Sequence, residues 1–350
     1  MTSDQRVAAL VDFGLTSRQA RFLVTVALHS GYCLRRQYAK FAGVEYGALV
    51  RDFLDHLVAR RWATRHSYRA DRGFVYHLQS KAVYRALGQD DNRNRRAVSP
   101  ALIARKLMVL DAVLAMPDVE WIATEDDKVR LLTEQFGIRK AHLPQRVFEG
   151  PRDSRSADAA VAASGTSQAA CRYVSALQSR TTRFFLQKWP IASAADGSVR
   201  FVALVLDTSG RAFDGFLFDH ARLVANLPSW EIILVSHTGF RGLTACRATF
   251  ERYQQGCRTR ALLPPAELRR YFATRLALET DELSSVSIDD LAHYRRHRVE
   301  WQTPAIETTY ARWCALGDQI WKSHPESLGS LRILELPFTY RQFGDLPGEC

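Results

Sequence analysis

Apolar residues recur every three to four positions between Thr16 and Ser30, where Ala20, Leu23, Val24, Ala27 and Leu28 share one helical face. Thr16 stands before the run as an N-cap, and Gly31 follows it as a stop. The segment LRRQYAKFAG then reads as a short second helix closed by Gly43, a residue suited to a left-handed cap. A third helix is expected within EYGALVRDFLDHLVARRW, with Leu49, Phe53, Leu54, Leu57 and Val58 as its core stripe. After it the period changes. WATRHSYRADRGFVYHLQ, Trp62 to Gln79, is two short strands around Ala70-Asp71-Arg72-Gly73, where Gly73 can take the positive φ of a tight turn. SKAVYRALG adds a helix capped by Ser80. Helix, helix, helix, hairpin, helix is the order of a winged helix-turn-helix.

The pattern beyond it is different. SPALIARKLMVLDAVLAM is an amphipathic helix with Ser99 as cap and Pro100 in its first turn, suited to dimerisation or to packing on a following domain. VEWIAT predicts a strand and DDKVRLLTEQFGI a helix ending at Gly137. Residues 149–171 lack large apolar side chains and read as a linker. RFFLQKWPIA and VRFVALVLD predict two strands around the turn SAADGS. FDGFLFDHARLVANL is a helix, WEIILVS a buried strand, and TACRATFERYQQ a further helix. Three more helical segments and a last strand, LRILELPF, complete the pattern. The expected class is α+β: an N-terminal winged helix-turn-helix, a mixed-sheet α/β domain and C-terminal helices. The corresponding divisions are 1–97, a linking helix with strand and helix over 98–148, a flexible linker over 149–172, and the α/β domain with its helical part over 173–350.

Composition narrows the class. A chain of 350 residues with 47% hydrophobic and 24% charged residues has core enough for two globular domains. The first residues show no basic-then-apolar signal pattern, and the longest apolar stretch, LMVLDAVLAM, is interrupted by Asp111. The six cysteines form no Cys-x-x-Cys pair and read as reduced thiols, which places the expected location in the cytoplasm, at the nucleoid. Charge is unevenly divided. Of the net +11, residues 1–115 hold 19 Lys and Arg against 9 Asp and Glu, and the remainder holds 29 against 28. A surplus so concentrated points to a polyanionic partner, most simply duplex DNA.

In a winged helix the third helix enters the major groove, which makes Glu45, Tyr46, Gly47 and Arg51 the expected base readers. Arg35, Arg36 and Lys40 on the second helix are placed to hold the phosphate backbone, and Arg65, His66, Arg69 and Arg72 of the hairpin to reach a flanking groove. The basic stretch carrying Arg93, Arg95 and Arg96 reads as a linker near the phosphates or as a solvated loop. No phosphate loop, His-Glu-x-x-His helix or Gly-x-Ser-x-Gly elbow is present. The nearest catalytic candidate is a nuclease-like hairpin with Asp196 and Asp207. Restriction-endonuclease-type sites place a lysine two residues after the second acid, and Ser209 stands there, so the hairpin reads as degenerate. A metal-dependent nuclease that borrows Lys188 from the neighbouring strand is the alternative, and a protein-interaction scaffold is the third class. Asp214, Asp219 and His220 read as a solvated helix edge. No cofactor or metal is expected, and the expected partners are double-stranded DNA and a second copy of the chain.

The basic winged-helix pattern of LVARRWATRHSYRADRGFVYHLQSKAVYRALG, followed by a nuclease-like hairpin without its lysine, resembles the replication-relaxation family. The resemblance is clearest over residues 15–115. It implies DNA binding on a bacterial plasmid or other mobile element, in transcription or replication control; that the protein acts without catalysis is the reading of the residues themselves.

Overall fold

The computed structural model describes residues 1–68, 73–151, 178–185, 189–194, 196–259, 265–321 and 329–340. Among them α1 (Ser3–Val11) comes first, an element the hydrophobic pattern did not single out; its Thr2–Gln5 capping box supplies the start signal. α2 (Ser17–His29) opens on the same device, Thr16 with Gln19. β1 (Tyr32–Leu34), α3 (Arg35–Ala42), α4 (Ala48–Ala59), β2 (Ala63–Tyr68), β3 (Gly73–Leu78) and α5 (Lys81–Ala86) follow. The sheet order is β1-β3-β2, all antiparallel, so Tyr76 lies between Cys33 and Arg65. Three-residue β1 carried no period by which to be read. Gly31 is required twice over. Its φ is +78°, and a Cβ there would stand 2.3 Å from the Asn94 carbonyl oxygen. Phe22, Leu23 and Val26 of α2 close this core with Val50, Phe53, Leu54 and Leu57 of α4. Leu49, expected in that stripe, is instead 73% exposed, because Val50 takes the inward position.

α6 (Pro100–Leu114) is the joint of the molecule. Ile103, Ala104, Leu107, Met108, Leu110 and Val113 are all buried. On one side they meet Tyr32, Leu34 and Val75 of the small sheet, and on the other Val202, Leu204, Ile233 and Val235 of the large one. Of the two uses expected for this helix, packing on the following region is the one found, and its apolar face is spent within the chain. Arg93, Arg95 and the buried Asn94 form a pinned 3-10 turn before it, Asn94 donating to the carbonyls of Ala27 and Leu28.

α7 (Glu125–Arg130) continues as one π-turn to Gln135. VEWIAT, expected as a strand, makes only the bridge Ile122–Ile191, since its partner strand is three residues long. β4 (Gln145–Pro151) and β5 (Gln178–Phe184) pair antiparallel, so the expected linker begins inside a strand at 149–151; residues 152–177 lie outside the described residues. Arg183 and Phe184 therefore end a separate ribbon, and the hairpin partner of the next strand starts later. β6 (Ile191–Ser193) and β7 (Val199–Leu204) form that hairpin. α8 (Arg211–Val224) leads to β8 (Trp230–His237), parallel to β7. α9 (Leu243–Thr259), α10 (Pro265–Thr280), α11 (Ile288–His297) and α12 (Pro304–Leu316) lead to β9 (Ser330–Leu336), parallel to β8. The sheet is therefore mixed, in the order β6-β7-β8-β9. Strand alternation divides its two faces. Phe201, Ala203, Ile232 and Leu234 face a core shared with α8 and α9, while Val202, Leu204, Ile233 and Val235 face α6.

Candidate nucleic-acid interface

Gly47 is the N-cap of α4, and the helix turns its apolar stripe inward from Val50 on, which leaves Ala48, Leu49 and Arg51 of its first turn in solvent. Tyr46 is 66% exposed and Leu49 73%, and the Arg51 side chain is 57% exposed. Glu45 and Gly47 are exposed as well. Four of the expected base readers thus share one outward tip, and Leu49 joins them. The sequence held a signal for this: Val50, Phe53, Leu54 and Leu57 centre the apolar face, and Leu49 falls about 90° from that centre. The tip is not purely cationic. Arg51 lies 3.5 Å from Asp52, and Asp55 one turn on lies 3.5 Å from Arg65.

The hairpin meets α4 through stacked cations. Arg35 donates to the Tyr76 hydroxyl at 2.9 Å, lies 3.8 Å from Asp55, and sits over the Phe74 ring at 5.3 Å. Its side chain is 18% exposed, so it ties α3, α4 and β3 together more than it reaches outward. Arg65 covers the same Phe74 ring at 4.6 Å and is 44% exposed. His66 is exposed and bonded to Thr64 at 3.1 Å. As the next residue in the strand it projects from the opposite face to Arg65, so the two do not converge. Arg69 and Arg72 lie outside the described residues.

On α3 the expected backbone contacts separate. Lys40 is exposed in the last turn. Arg36 instead makes two 2.7 Å hydrogen bonds to the buried Asp111 of α6, its guanidinium 3.5 Å from the centre of the Phe338 ring. Tyr340 donates to the same carboxylate at 2.6 Å. Burial and that neighbouring carboxylate hold the Tyr340 phenol well above its usual range. Arg36 is therefore committed to the joint, because a buried carboxylate requires a charged partner.

The nuclease-like carboxylates do not meet. Asp196 accepts from the Ser198 amide and hydroxyl in the β6–β7 turn. Asp207 lies past the other end of β7 and accepts from Ser209 and from the Ala212 amide, at the start of α8. Six strand residues separate them, roughly 20 Å, too far for one metal ion. Bonds from Ser198 keep Asp196 below the usual carboxylate range; for Asp207, the Ser209 and backbone bonds outweigh the opposing push of burial. Lys188 lies outside the described residues. Among the described residues, no group of three or more His, Cys, Asp or Glu is placed to hold a metal. Asp214 and Asp219 are exposed as expected, but His220 is not a solvated edge; it stacks on Phe216 at 4.1 Å and meets Phe185 and Phe201.

What these features define is an α+β protein with an outward helix tip beside a basic hairpin, and, among the described residues, no helix long and apolar enough to cross a membrane. The chain matches no protein-family model, no curated protein and no solved structure.

Proposed function

We propose that residues 1–97 are a winged helix-turn-helix that binds duplex DNA, with α4 in the major groove and the β2–β3 hairpin against a flanking groove or backbone. The observation that carries this is the tip of α4, where Tyr46, Leu49 and Arg51 face solvent beside Arg65. Arginine can read guanine and an apolar side chain the thymine methyl group, so both belong on a base-reading helix. Lys40 and the hairpin cations would hold phosphates. The biological setting that goes with this reading is transcription or replication control on a bacterial mobile element, as the resemblance to the replication-relaxation family implies, without catalysis and in the cytoplasm. A homodimer remains part of the proposal, through a surface other than α6.

A second reading has its own support. Asp52 and Asp55 on the same side of α4 would repel phosphates and suit a protein partner. Fluorescence anisotropy with a random-sequence duplex separates the two. DNA binding through phosphates must weaken as monovalent salt rises, with a slope equivalent to roughly 4–8 contacts for a dimer. Affinity that is absent, or unchanged from low to physiological salt, rejects the first reading and leaves the protein-binding one.

A further inference from the structure

Viewed down its axis, α4 buries Val50, Phe53, Leu54 and Leu57. The line opposite that face runs through Ala48, Asp52, Asp55 and Ala59, with Arg51 on one flank. Ala48 lies one turn before Asp52 and is small, so the helix backbone can approach a partner closely there.

The two carboxylates on this line are not equivalent. Asp55 stands between Arg35 and Arg65, at 3.8 and 3.5 Å, and is neutralised within the fold. Asp52 lies 3.5 Å from its neighbour Arg51, and both side chains stay exposed, 68% for Asp52 and 57% for Arg51. Exposed pairs of this kind add little to stability, so the fold itself gains little from a carboxylate there.

On a helix that enters the major groove, such a carboxylate is repelled by the phosphates on either side. A hydrogen bond accepted from a base edge offsets that repulsion, and the amino donors in this groove belong to cytosine and adenine. Adenine sets its amino group beside the N7 acceptor, which repels a carboxylate; cytosine shows its amino group with no acceptor of its own beside it. Arg51 supplies the matching half, since a guanidinium takes guanine O6 and N7 together.

We infer that Asp52 is a specificity residue that accepts a hydrogen bond from a cytosine amino group beside a guanine taken by Arg51, so that the preferred duplex carries G·C pairs under the tip of α4. The inference rests on the DNA-binding reading and adds the class of sequence to it. It also makes the protein a selective binder: where no cytosine is in place, Asp52 repels the backbone and weakens binding.

The intact chain and its Asp52→Ala and Asp52→Asn variants are each used to select duplexes from a pool with a randomised core, and the retained sequences are read. The parent should enrich G·C pairs at neighbouring positions. Asp52→Ala, at an exposed position, should fold as the parent does, lose roughly tenfold in cytosine preference, and hold a random-sequence duplex more tightly. Asp52→Asn should move the preference at that position from cytosine to adenine, because an amide pairs with adenine N6 and N7. If the parent retains no duplex, the DNA-binding reading falls and this inference with it. Duplexes retained without a G·C preference overturn this inference alone. So does a cytosine preference that survives in either variant, since the carboxylate would then act only by repelling phosphates.

Discussion

Arg36 and Lys40 lie one turn apart on α3 and were expected to do the same work, yet their surroundings assign them opposite ones. Truncating Arg36 to alanine strands the Asp111 carboxylate in the joint, and should cost on the order of 3 kcal/mol in urea denaturation. Lys40→Ala removes an exposed side chain and should change stability by less than about 0.5 kcal/mol while weakening duplex binding. If both variants behave alike in denaturation, the Arg36–Asp111 pair is not a structural one. Titration is also a single-residue matter. Burial lowers His29 to about 3 and His220 to about 4 from the usual 6.5. Between these values and 6.5 the unfolded chain binds protons that the folded chain refuses, so the folded state loses stability as pH falls through this window and is unaffected above it. At pH 5 each histidine should cost about 2 kcal/mol. Urea melts at pH 7 and pH 5 on the parent and on His29→Phe measure this; equal pH dependence in the two would remove His29 from the account.

Elements that announce themselves chemically were legible in the chain. Thr16 and Ser80 cap α2 and α5 as their positions suggest, and Gly43 ends α3 with φ +63°. Elements defined by partners were not. β1 is three residues long, and β4 pairs with a strand beyond a long interruption, so neither carries a period of its own. The facing of α4 was legible in Phe53, Leu54 and Leu57, which are buried as the stripe predicts; only Leu49 at its start was misplaced, Val50 taking the core position. That exchange makes a prediction. Leu54→Ala, at a fully buried position, should cost roughly 2–5 kcal/mol, whereas Leu49→Ala should stay within about 0.5 kcal/mol and reduce duplex affinity. Reversal of that order in denaturation would place Leu49 inside. The Arg36–Asp111 pair was beyond reach, since 75 residues separate two charges with no local pattern to join them.

For the whole molecule, the decisive fact is that α6 belongs to two cores at once. Its buried side chains touch the small sheet and the large one, and Lys106 adds hydrogen bonds to the Ser30 carbonyl and the Asn94 side chain. Regions joined through so much apolar contact should unfold together. Calorimetry of the parent should therefore show one transition, and two well-separated transitions would mean that the halves are energetically independent. The same fact qualifies the charge argument. Arg6, Arg36 and Lys106 count toward the surplus of the first 115 residues but are used within the fold, so fewer cations face a partner than the composition suggests.

Tyr340 and Phe338 complete the Arg36 clamp, and β9 just before them completes the large sheet. During synthesis these residues emerge long after α3, roughly tens of seconds later at ordinary elongation rates. Until then the nascent chain carries a finished helix-and-hairpin unit, an α6 whose second face is bare, and a β8 edge without its neighbour. Such a chain has every reason to recruit a chaperone, and ribosomes stalled short of codon 330 should hold it in that bound state.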